Sequence, residues 1–162
     1  LNYYTRSVAR APKDAKELAR GYAFVLPKGD AYPRTDIGWE IYPEGLGRVV
    51  RNLADQWPLP PIWITENGAA DNTGITAEGE CQDAMRLDYL KTHLAELASL
   101  VASGIDIRGY YVWSLLDNFE WAHGYTQRFG VVHVDYETQQ RTPKASARWL
   151  SDLMQAQALR SA

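Results

Sequence analysis

Glu66 is the residue whose type and position in this sequence most favour a chemical role. It lies in the segment 62–68, which reads IWITENG. The four residues before it are β-branched or aromatic and predict a short strand, Ile62 to Glu66, buried on both faces; the following Asn-Gly ends that strand. A carboxylate at the carboxyl end of a parallel strand is typical of α/β-barrel active sites, where it can act as a nucleophile. The alternative interpretation is a glutamate that caps a loop or pairs with an arginine.

Other segments of the chain carry motifs that accompany IWITENG in one known family. Residues 110–121 read YYVWSLLDNFEW and residues 128–135 read RFGVVHVD; three shorter segments are LNYYT at 1–5, GWEIYPEGL at 38–46 and QRTPK at 140–144. Together these motifs, in this order, resemble the carboxyl-terminal portion of glycoside hydrolase family 1, the β-glucosidase family. The resemblance covers nearly the whole chain.

The resemblance implies an α/β fold that is the carboxyl-terminal part of a (β/α)8 TIM barrel. Residues 1–4 would be the end of the sixth strand, followed by the seventh and eighth strands with their helices. A complete barrel typically needs about 250 residues, and this sequence has 162 and begins at Leu1 inside a motif. We therefore expect residues 1–162 to be a fragment of one barrel domain, an incomplete barrel. Its open hydrophobic edge should leave the chain marginally stable or prone to aggregation unless a partner covers it.

The catalytic residue that the resemblance implies is Glu66, as the nucleophile of a retaining glycosidase. Such enzymes use a second carboxyl, about 5–5.5 Å away, to protonate the leaving oxygen and later activate water. In the family this acid/base lies in an N-E-P motif, and the sequence contains no N-E-P. Tyr4 matches a residue whose hydroxyl donates a hydrogen bond to the nucleophile and helps to keep it ionised.

Five further residues are implied to bind the substrate, a β-glucoside or small β-linked oligosaccharide. Glu120 would accept hydrogen bonds from two sugar hydroxyls, since a charge-assisted bond is stronger than a neutral one, and the Trp121 indole would donate to another. Trp113 would form the platform under the ring in the glycone subsite, and Phe129 would line that subsite. Trp39 matches an aromatic on the aglycone side. Each of these residues could instead be part of an ordinary core.

The resemblance leaves several functions open. The Glu120-Trp121 pair argues against the phospho-glycosidase branch of the family, whereas glucose is not distinguished from galactose or fucose. One alternative is a catalytically inactive carbohydrate-binding or interaction module of the same fold. Another is a split enzyme, in which a separate chain supplies the missing strands and the acid. Four other acids are available in this chain, although their contexts differ from the family's acid/base motif: Glu40, Glu44, Glu78 and Glu80.

Composition excludes several other classes of function. The formal charge of −3 and the pI near 5.6 provide no basic surface for nucleic acid, and no apolar run is long enough to span a membrane. The single Cys81 precludes an internal disulfide and suggests a reducing, cytoplasmic location. We predict no cofactor and no metal site, because His93 and His133 are expected to be structural and His123 to lie in a loop near the aglycone entrance.

The secondary structure that must position these residues alternates helices and strands, as expected for parallel βαβ units. Residues 5–35 are interpreted as a surface excursion with one helical turn near Asp14 to Ala19. A helix opening at Pro43-Glu44 has an apolar face, and prolines end it before the Ile62 strand. Residues 69–82 form a polar loop. The remaining predicted elements are a helix over 82–103 ended by Gly104, a strand over 107–114, a strand over 131–135, a turn over 137–140 and a helix over 144–157.

Overall fold

The computed structural model describes residues 1–25 and 31–161 and has the alternating order expected of an α/β fold. Within these residues ten elements follow one another: β1 (Val8–Arg10), α1 (Ala15–Leu18), β2 (Ala23–Val25), α2 (Pro43–Gln56), β3 (Ile62–Asn67), α3 (Ala84–Ala102), β4 (Ile107–Val112), β5 (Val132–Val134), β6 (Arg141–Pro143) and α4 (Ala145–Ser161). A single 3-10 turn, Trp121–His123, lies between β4 and β5.

The amino-terminal residues, β3 and β4 run parallel to one another at the centre of the fold. Strands β3 and β4 are paired in parallel and are joined through α3. On the other side of β3, Asn2 forms a parallel bridge to Glu66, and the Thr65 amide donates to the Leu1 carbonyl at 2.9 Å. The geometry agrees with the interpretation of residues 1–4, β3 and β4 as three successive barrel strands. Among the described residues the sheet does not close.

Helices α2 and α3 cover one face of this sheet. Ile64 of β3 is fully buried against Leu46 and Val50 of α2 and Leu97 and Leu100 of α3. These apolar contacts hold the two strands against the helices, because burial of each such side chain contributes about 1.5–3 kcal/mol.

The prediction that β3 is buried on both faces is wrong. Trp63 is 45% exposed and Thr65 is also exposed, because they lie on the face of the sheet away from α2 and α3. Trp63 packs instead beside Tyr111 of β4, with ring centroids 6.3 Å apart. Its indole also covers Gly109, where a side chain would collide with the ring. The face of the sheet away from α2 and α3 therefore carries aromatic side chains of the kind found in protein cores. None of the described elements packs against it.

The helix faces are buried only in part. Leu46 and Val50 of α2 are buried, and so are Tyr89, Leu90 and Leu97 of α3. Other large apolar side chains of these helices or at their ends remain exposed, namely Val49, Leu53, Trp57 and Val101. The reason is that the apolar face of each helix is wider than the part of the described chain that packs against it.

The excursion over residues 5–35 is more ordered than the sequence indicates. The helical turn is confirmed as α1, where the Asp14 carboxylate caps the Glu17 amide at 2.8 Å. The antiparallel pairing of β1 with β2 was not predicted, because three-residue strands leave almost no periodic pattern. Residues 26–30 of the excursion lie outside the described residues.

The carboxyl-terminal elements differ from the predicted ones mainly at their ends. Strand β4 ends at Val112 rather than at residue 114, and the Trp113–Ser114 peptide bond that follows is cis. The predicted strand over 131–135 is confirmed as β5, and its partner is the unpredicted β6 rather than the parallel sheet. Helix α4 begins at Ala145, one residue after the predicted start.

A buried arginine joins the loop after β3 to the rest of the fold. The Arg86 side chain is fully buried and its Nη1 donates to the Asp83 carboxylate at 2.5 Å. Its remaining donors reach backbone carbonyls of Ala69 (3.2 Å), Asp71 (3.0 Å) and Arg128 (2.5 Å). One guanidinium therefore fixes two separate loops on α3, and both loops contribute to the region at the carboxyl ends of the strands.

A second buried group, the Asn67 amide, holds the three parallel strands in register. Its Nδ2 donates to the Tyr3 carbonyl at 2.7 Å and to the Tyr89 hydroxyl at 2.9 Å, while its Oδ1 accepts from the Tyr110 hydroxyl at 2.5 Å. The Tyr89 hydroxyl donates in turn to the Tyr4 carbonyl at 2.9 Å. Because Asn67 follows Glu66 directly, this network aligns the candidate nucleophile with the chain segment that contains Tyr4.

Replacing Asn67 with alanine should destabilise the fold by about 3 kcal/mol, because three hydrogen bonds are lost and buried partners are left unpaired. The measurement is urea-induced unfolding of wild-type and variant chains. Asn52→Ala is the matched control, since Asn52 is exposed on α2 and its truncation should cause no comparable loss. An Asn67→Ala chain as stable as the control would contradict the role given to this amide.

His93 predicts a specific pH dependence of stability. It is buried and stacked on Tyr89 with ring centroids 3.9 Å apart, and burial lowers its pKa from 6.5 to about 4. Between about pH 4 and pH 6.5, His93 binds a proton in the unfolded chain but not in the folded chain. The stability contributed by neutral His93 is therefore present above pH 6.5 and is lost as the pH falls toward about 4.

When the pH is lowered from about 7 to about 4, the free energy of unfolding of wild type should fall by about 3 kcal/mol more than that of His93→Gln. Urea unfolding at a series of pH values measures this difference. The exposed His123 offers the control, because His123→Gln should retain the wild-type pH dependence. If His93→Gln loses as much stability as wild type on acidification, the assignment is wrong.

Candidate active site

One cleft, of about 510 Å³, contains the predicted catalytic residue Glu66, its predicted hydrogen-bond donor Tyr4 and the five predicted substrate-binding residues. It opens at the carboxyl ends of the parallel strands, where β3 and β4 pass into their loops. Its lining consists of Tyr4, Trp39, Glu66, Trp113, Asn118, Phe119, Glu120, Trp121 and Phe129. The chain segments that contribute these side chains are far apart in sequence, so tertiary structure is what brings them together.

Glu66 lies at the end of β3 with its carboxylate held by Tyr4. The Tyr4 hydroxyl donates to Glu66 Oε2 at 2.8 Å, which leaves the other carboxylate oxygen available to a ligand. Burial, reinforced by the hydrogen bond to Glu66, raises the pKa of Tyr4 above its ordinary value of 10.0. Tyr4 therefore remains a donor. After Glu66 the chain passes so close to the Trp113 carbonyl that only glycine fits at Gly68.

Three aromatic rings form one wall of the cleft. The Trp39 ring lies 5.6 Å from that of Tyr4 and 5.9 Å from that of Phe129, and the Tyr4 and Phe129 rings are 6.2 Å apart. Edge-to-face and tilted contacts of this kind are favourable and restrict the rings. Phe129 is only 3% exposed, so it supports the wall more than it faces solvent.

Glu120 and Trp121 lie in the loop after β4, at the mouth of the cleft. Glu120 is half-buried and precedes the 3-10 turn, and its amide donates to the Gly124 carbonyl at 2.6 Å. Trp121 has a positive φ of 36° and is 81% exposed, so its indole is open to a ligand. His123 ends the same turn and is exposed.

The buried Asp117 fixes the start of the loop that carries Glu120. Its carboxylate is buried and accepts hydrogen bonds from Lys144 Nζ at 2.9 Å, Arg128 Nη1 at 2.7 Å and the Gly130 and Val134 amides at 3.0 and 3.3 Å. Burial lowers the pKa of Lys144, while Asp117 opposes that shift by stabilising its charge. A carboxylate with four donors is fully satisfied, so the loop that carries Glu120 starts from a fixed point.

Two lining residues were missed by the sequence analysis. Phe119 is 56% exposed and packs edge-on against Tyr125 at 5.6 Å, and Asn118 donates to the Ser114 hydroxyl at 3.0 Å and to the Leu116 carbonyl at 3.1 Å. Both belong to the motif that contains Glu120. Their position in the segment 110–121, close to Glu120, was the signal that could have identified them as lining residues.

The other acids that were considered lie outside this cleft. Glu40 is buried and pairs with Arg6 at 2.7 Å and with Arg34 at 3.4 Å. Glu44 lies in the first turn of α2, and Glu78 and Glu80 are exposed in the loop before α3. None of the four lines the cleft beside Glu66.

The described part of the chain provides no group of His, Cys, Asp and Glu side chains that could hold a metal ion. Over the same residues, no helix has the length and apolar character that crossing a membrane would require. The cleft combines a hydrogen-bonded carboxylate, a second carboxylate and several aromatic faces, a combination suited to a polyhydroxylated ring.

Comparison with known proteins identifies the family. The family model described as glycosyl hydrolase family 1 matches residues 1–159. A β-glucosidase of Agrobacterium sp. is 46% identical over 153 residues, which are 94% of this chain and 33% of that protein. A 6-phospho-β-galactosidase of Streptococcus equi subsp. zooepidemicus is 46% identical over 123 residues, 75% of this chain and 26% of that protein.

A solved structure agrees with the sequence comparison. The β-glucosidase of Thermotoga maritima in complex with azafagomine superposes with a TM-score of 0.86 at 40% identity, over 95% of this chain and 34% of that one. The chain thus spans about a third of the length of the relatives it matches, and its open sheet corresponds to part of their (β/α)8 barrel, as predicted. On these grounds the chain belongs to glycosyl hydrolase family 1.

Proposed function

We propose that residues 1–162 form the carboxyl-terminal part of a single barrel domain and carry the nucleophile and part of the glycone subsite of a retaining β-glucosidase. The observation that carries the proposal is the Tyr4–Glu66 hydrogen bond of 2.8 Å within a cleft that also contains Glu120 and Trp121. A nucleophile at a strand end, a donor that orients it and acceptors for sugar hydroxyls are the parts that glycoside cleavage requires.

In the proposed reaction the free oxygen of Glu66 attacks the anomeric carbon of a β-glucoside. The glycosidic C–O bond breaks as the ester bond to Glu66 forms, and the departing oxygen takes a proton from a general acid. Water then attacks the same carbon with the help of that residue as a base, which releases glucose and restores Glu66. Tyr4 orients the carboxylate because it occupies Oε2.

The proposal places the acid/base outside this sequence, in the amino-terminal part of the barrel. The sequence contains no N-E-P motif, and among the residues that the structure describes Glu120 is the only other carboxylate that lines the cleft with Glu66. Glu120 is assigned to sugar hydroxyls instead, together with the Trp121 indole. General acid–base assistance is worth about 10²–10⁴-fold in rate, so the isolated chain should hydrolyse ordinary glucosides very slowly.

The remaining lining residues have binding roles in this proposal. Trp113 is the platform under the glycone ring, since it is half-buried between Glu66 and the Glu120 loop. Phe129 supports the same subsite from the wall behind Tyr4. Trp39 contacts both of these rings and is assigned to the aglycone side.

An unphosphorylated glucoside is the preferred substrate class, although one of the relatives is a 6-phospho-β-galactosidase. The residues that line the cleft in the described chain include two carboxylates, Glu66 and Glu120, and neither a lysine nor an arginine. Two carboxylates without a cation repel a phosphate group, whereas a carboxylate binds neutral hydroxyls well.

Two substrates that differ in their need for a general acid test the role of Glu66 separately from that of the acid/base residue. A 2,4-dinitrophenyl 2-deoxy-2-fluoro-β-glucoside has a leaving group that departs without protonation, so the chain should become covalently labelled on Glu66. p-Nitrophenyl β-glucoside depends more on the acid, and its turnover by the chain alone should fall about 10²–10⁴-fold below that of a complete enzyme. Mass spectrometry of proteolytic peptides locates the label.

Glu80→Gln is the matched control, because Glu80 is exposed and outside the cleft; it should label normally, whereas Glu66→Gln should not. A folded chain that binds the glucoside but is never labelled would favour the inactive binding module. Rapid, Glu66-dependent hydrolysis of p-nitrophenyl β-glucoside by the chain alone would refute the placement of the acid. A hybrid, in which this chain replaces the corresponding third of the Agrobacterium sp. β-glucosidase, repeats the comparison in a closed barrel.

A further inference from the structure

Tyr89 of α3 is a buried residue that does not line the cleft but is bonded to the chain on both sides of Glu66. Its side chain is fully buried and is not among the residues of the cleft. Its hydroxyl donates to the Tyr4 carbonyl at 2.9 Å and accepts from Asn67 Nδ2, also at 2.9 Å. A phenolic hydroxyl has one proton to donate, and Tyr89 donates it to the residue whose own hydroxyl holds Glu66.

The backbone pairing that joins the amino-terminal segment to β3 ends before Tyr4. The Tyr3 amide donates to the Glu66 carbonyl at 3.0 Å, and among the described residues this is the last backbone hydrogen bond between the two segments. One residue further along, the donor to the Tyr4 carbonyl is the Tyr89 hydroxyl. A side chain of α3, rather than the sheet itself, therefore fixes the backbone of Tyr4 relative to Glu66.

Tyr89 is itself held firmly enough to serve as a fixed point. Its ring stacks on His93 with ring centroids 3.9 Å apart, and it packs in an apolar cluster with Leu90 and Val131. Burial raises the pKa of Tyr89 above its ordinary value of 10.0, so the hydroxyl keeps its proton. Reacting groups must be held within about 0.5 Å of their productive geometry by packed and hydrogen-bonded neighbours, and Tyr89 is such a neighbour.

We propose that Tyr89 is a positioning residue for the nucleophile and that it acts through Tyr4. The proposal rests on the proposed function, because it takes Glu66 as the nucleophile. The Tyr89 hydroxyl holds the Tyr4 backbone, the Tyr4 hydroxyl holds Glu66 Oε2 at 2.8 Å, and the other carboxylate oxygen is thereby kept in the attacking position. Without the Tyr89 hydroxyl the Tyr4 carbonyl loses its donor and the residue can shift. A displacement of about 1 Å can reduce a rate about 10²-fold.

The experiment measures covalent labelling of Glu66 in a Tyr89→Phe chain, which keeps the ring on His93 and removes only the hydroxyl. Labelling by 2,4-dinitrophenyl 2-deoxy-2-fluoro-β-glucoside at a series of concentrations gives a saturating rate constant and a half-saturating concentration. We expect the rate constant to fall about tenfold and the half-saturating concentration to stay within about twofold, because the cleft lining is unchanged. Urea unfolding gives the folded fraction, by which each rate is corrected.

A double variant shows whether Tyr89 acts through Tyr4. Tyr4→Phe alone should slow labelling, since Glu66 Oε2 loses its donor. In that background Tyr89→Phe should slow labelling further by less than about twofold, because the hydroxyl through which it acts is already gone. Losses that simply multiply in the double variant would show that Tyr89 acts by another route and would overturn the proposal.

Tyr3→Phe is the matched control, because it removes another buried tyrosine hydroxyl from the same region. That hydroxyl donates to the Tyr42 carbonyl at 2.5 Å and not to the segments around Glu66. Tyr3→Phe should lower the stability of the chain about as much as Tyr89→Phe but leave the corrected labelling rate constant at the wild-type value. Equal slowing in both variants would mean that the rate follows stability alone, which contradicts the proposal.

The remaining outcomes separate this proposal from the proposed function. If the folded wild-type chain is never labelled on Glu66, the proposed function itself fails. If wild type is labelled and Tyr89→Phe is labelled at the same rate, the ring contacts of Tyr4 with Trp39 and Phe129 are sufficient to position it, and the role given to Tyr89 is wrong. The same variants in the hybrid with the Agrobacterium sp. β-glucosidase repeat the measurement in a closed barrel, where the same tenfold fall is expected.

Discussion

The buried carboxylate of Asp117, shared by Lys144 and Arg128, is the interaction on which the geometry of the cleft depends. Removing one partner of a buried ion pair costs about 3–5 kcal/mol, because the other charge is left uncompensated. Asp117 stands three residues before Glu120, and its carboxylate also accepts the Gly130 amide. Both ends of the loop that carries Glu120 and Trp121 are therefore tied to one point inside the protein.

This anchor is continuous with a second buried pair that reaches the nucleophile side of the cleft. Arg86 donates to the Arg128 carbonyl and to the Asp83 carboxylate, and Asp83 accepts from the Ser146 amide at 2.9 Å and from its hydroxyl. The loop after β3, the start of α3, the loop after β4 and the start of α4 thus share one hydrogen-bonded network. Every charge in it is paired, and all but that of Arg128 are fully buried. The end of β3 that carries Glu66 and the loop that carries Glu120 are therefore held at a fixed separation.

The face of the sheet away from α2 and α3 is not covered by any described element. Trp63 and Tyr111 present exposed aromatic rings there, and an apolar groove lined by residues such as Leu115, Val132 and Met154 runs along the open side of β4. An apolar surface of this kind is costly in water. It is the consequence expected of a chain that spans about a third of its relatives, and it agrees with the proposal that the remaining strands and the acid/base come from outside this sequence.

Local sequence was sufficient for the longer helices and strands and for most of the residues that line the cleft. The β-branched run before Glu66 and the Asn-Gly after it specify a strand and its end through backbone preferences alone, and the motifs around Glu120 carried the resemblance to the family. The burial of β3 on both faces was predicted wrongly for a related reason. The apolar residues of Ile62–Asn67 are the same whether or not a second layer covers them, and only the surrounding chain decides.

Apart from Tyr4 and Glu66, whose contact the resemblance implied, partners distant in the chain were not predicted from the sequence. Nothing local indicates that the Asn67 amide joins Tyr3, Tyr89 and Tyr110, or that Arg86 is a buried cross-link. The sequence by itself determined which side chains are available at the strand ends, since strand formation and chain reversal depend on neighbouring residues. The contact of Tyr4 with Glu66 was expected only through the resemblance to the family. Tertiary structure alone decided that Arg6 meets Glu40, because hydrogen bonds and ion pairs between distant segments form only where packing brings their atoms within reach.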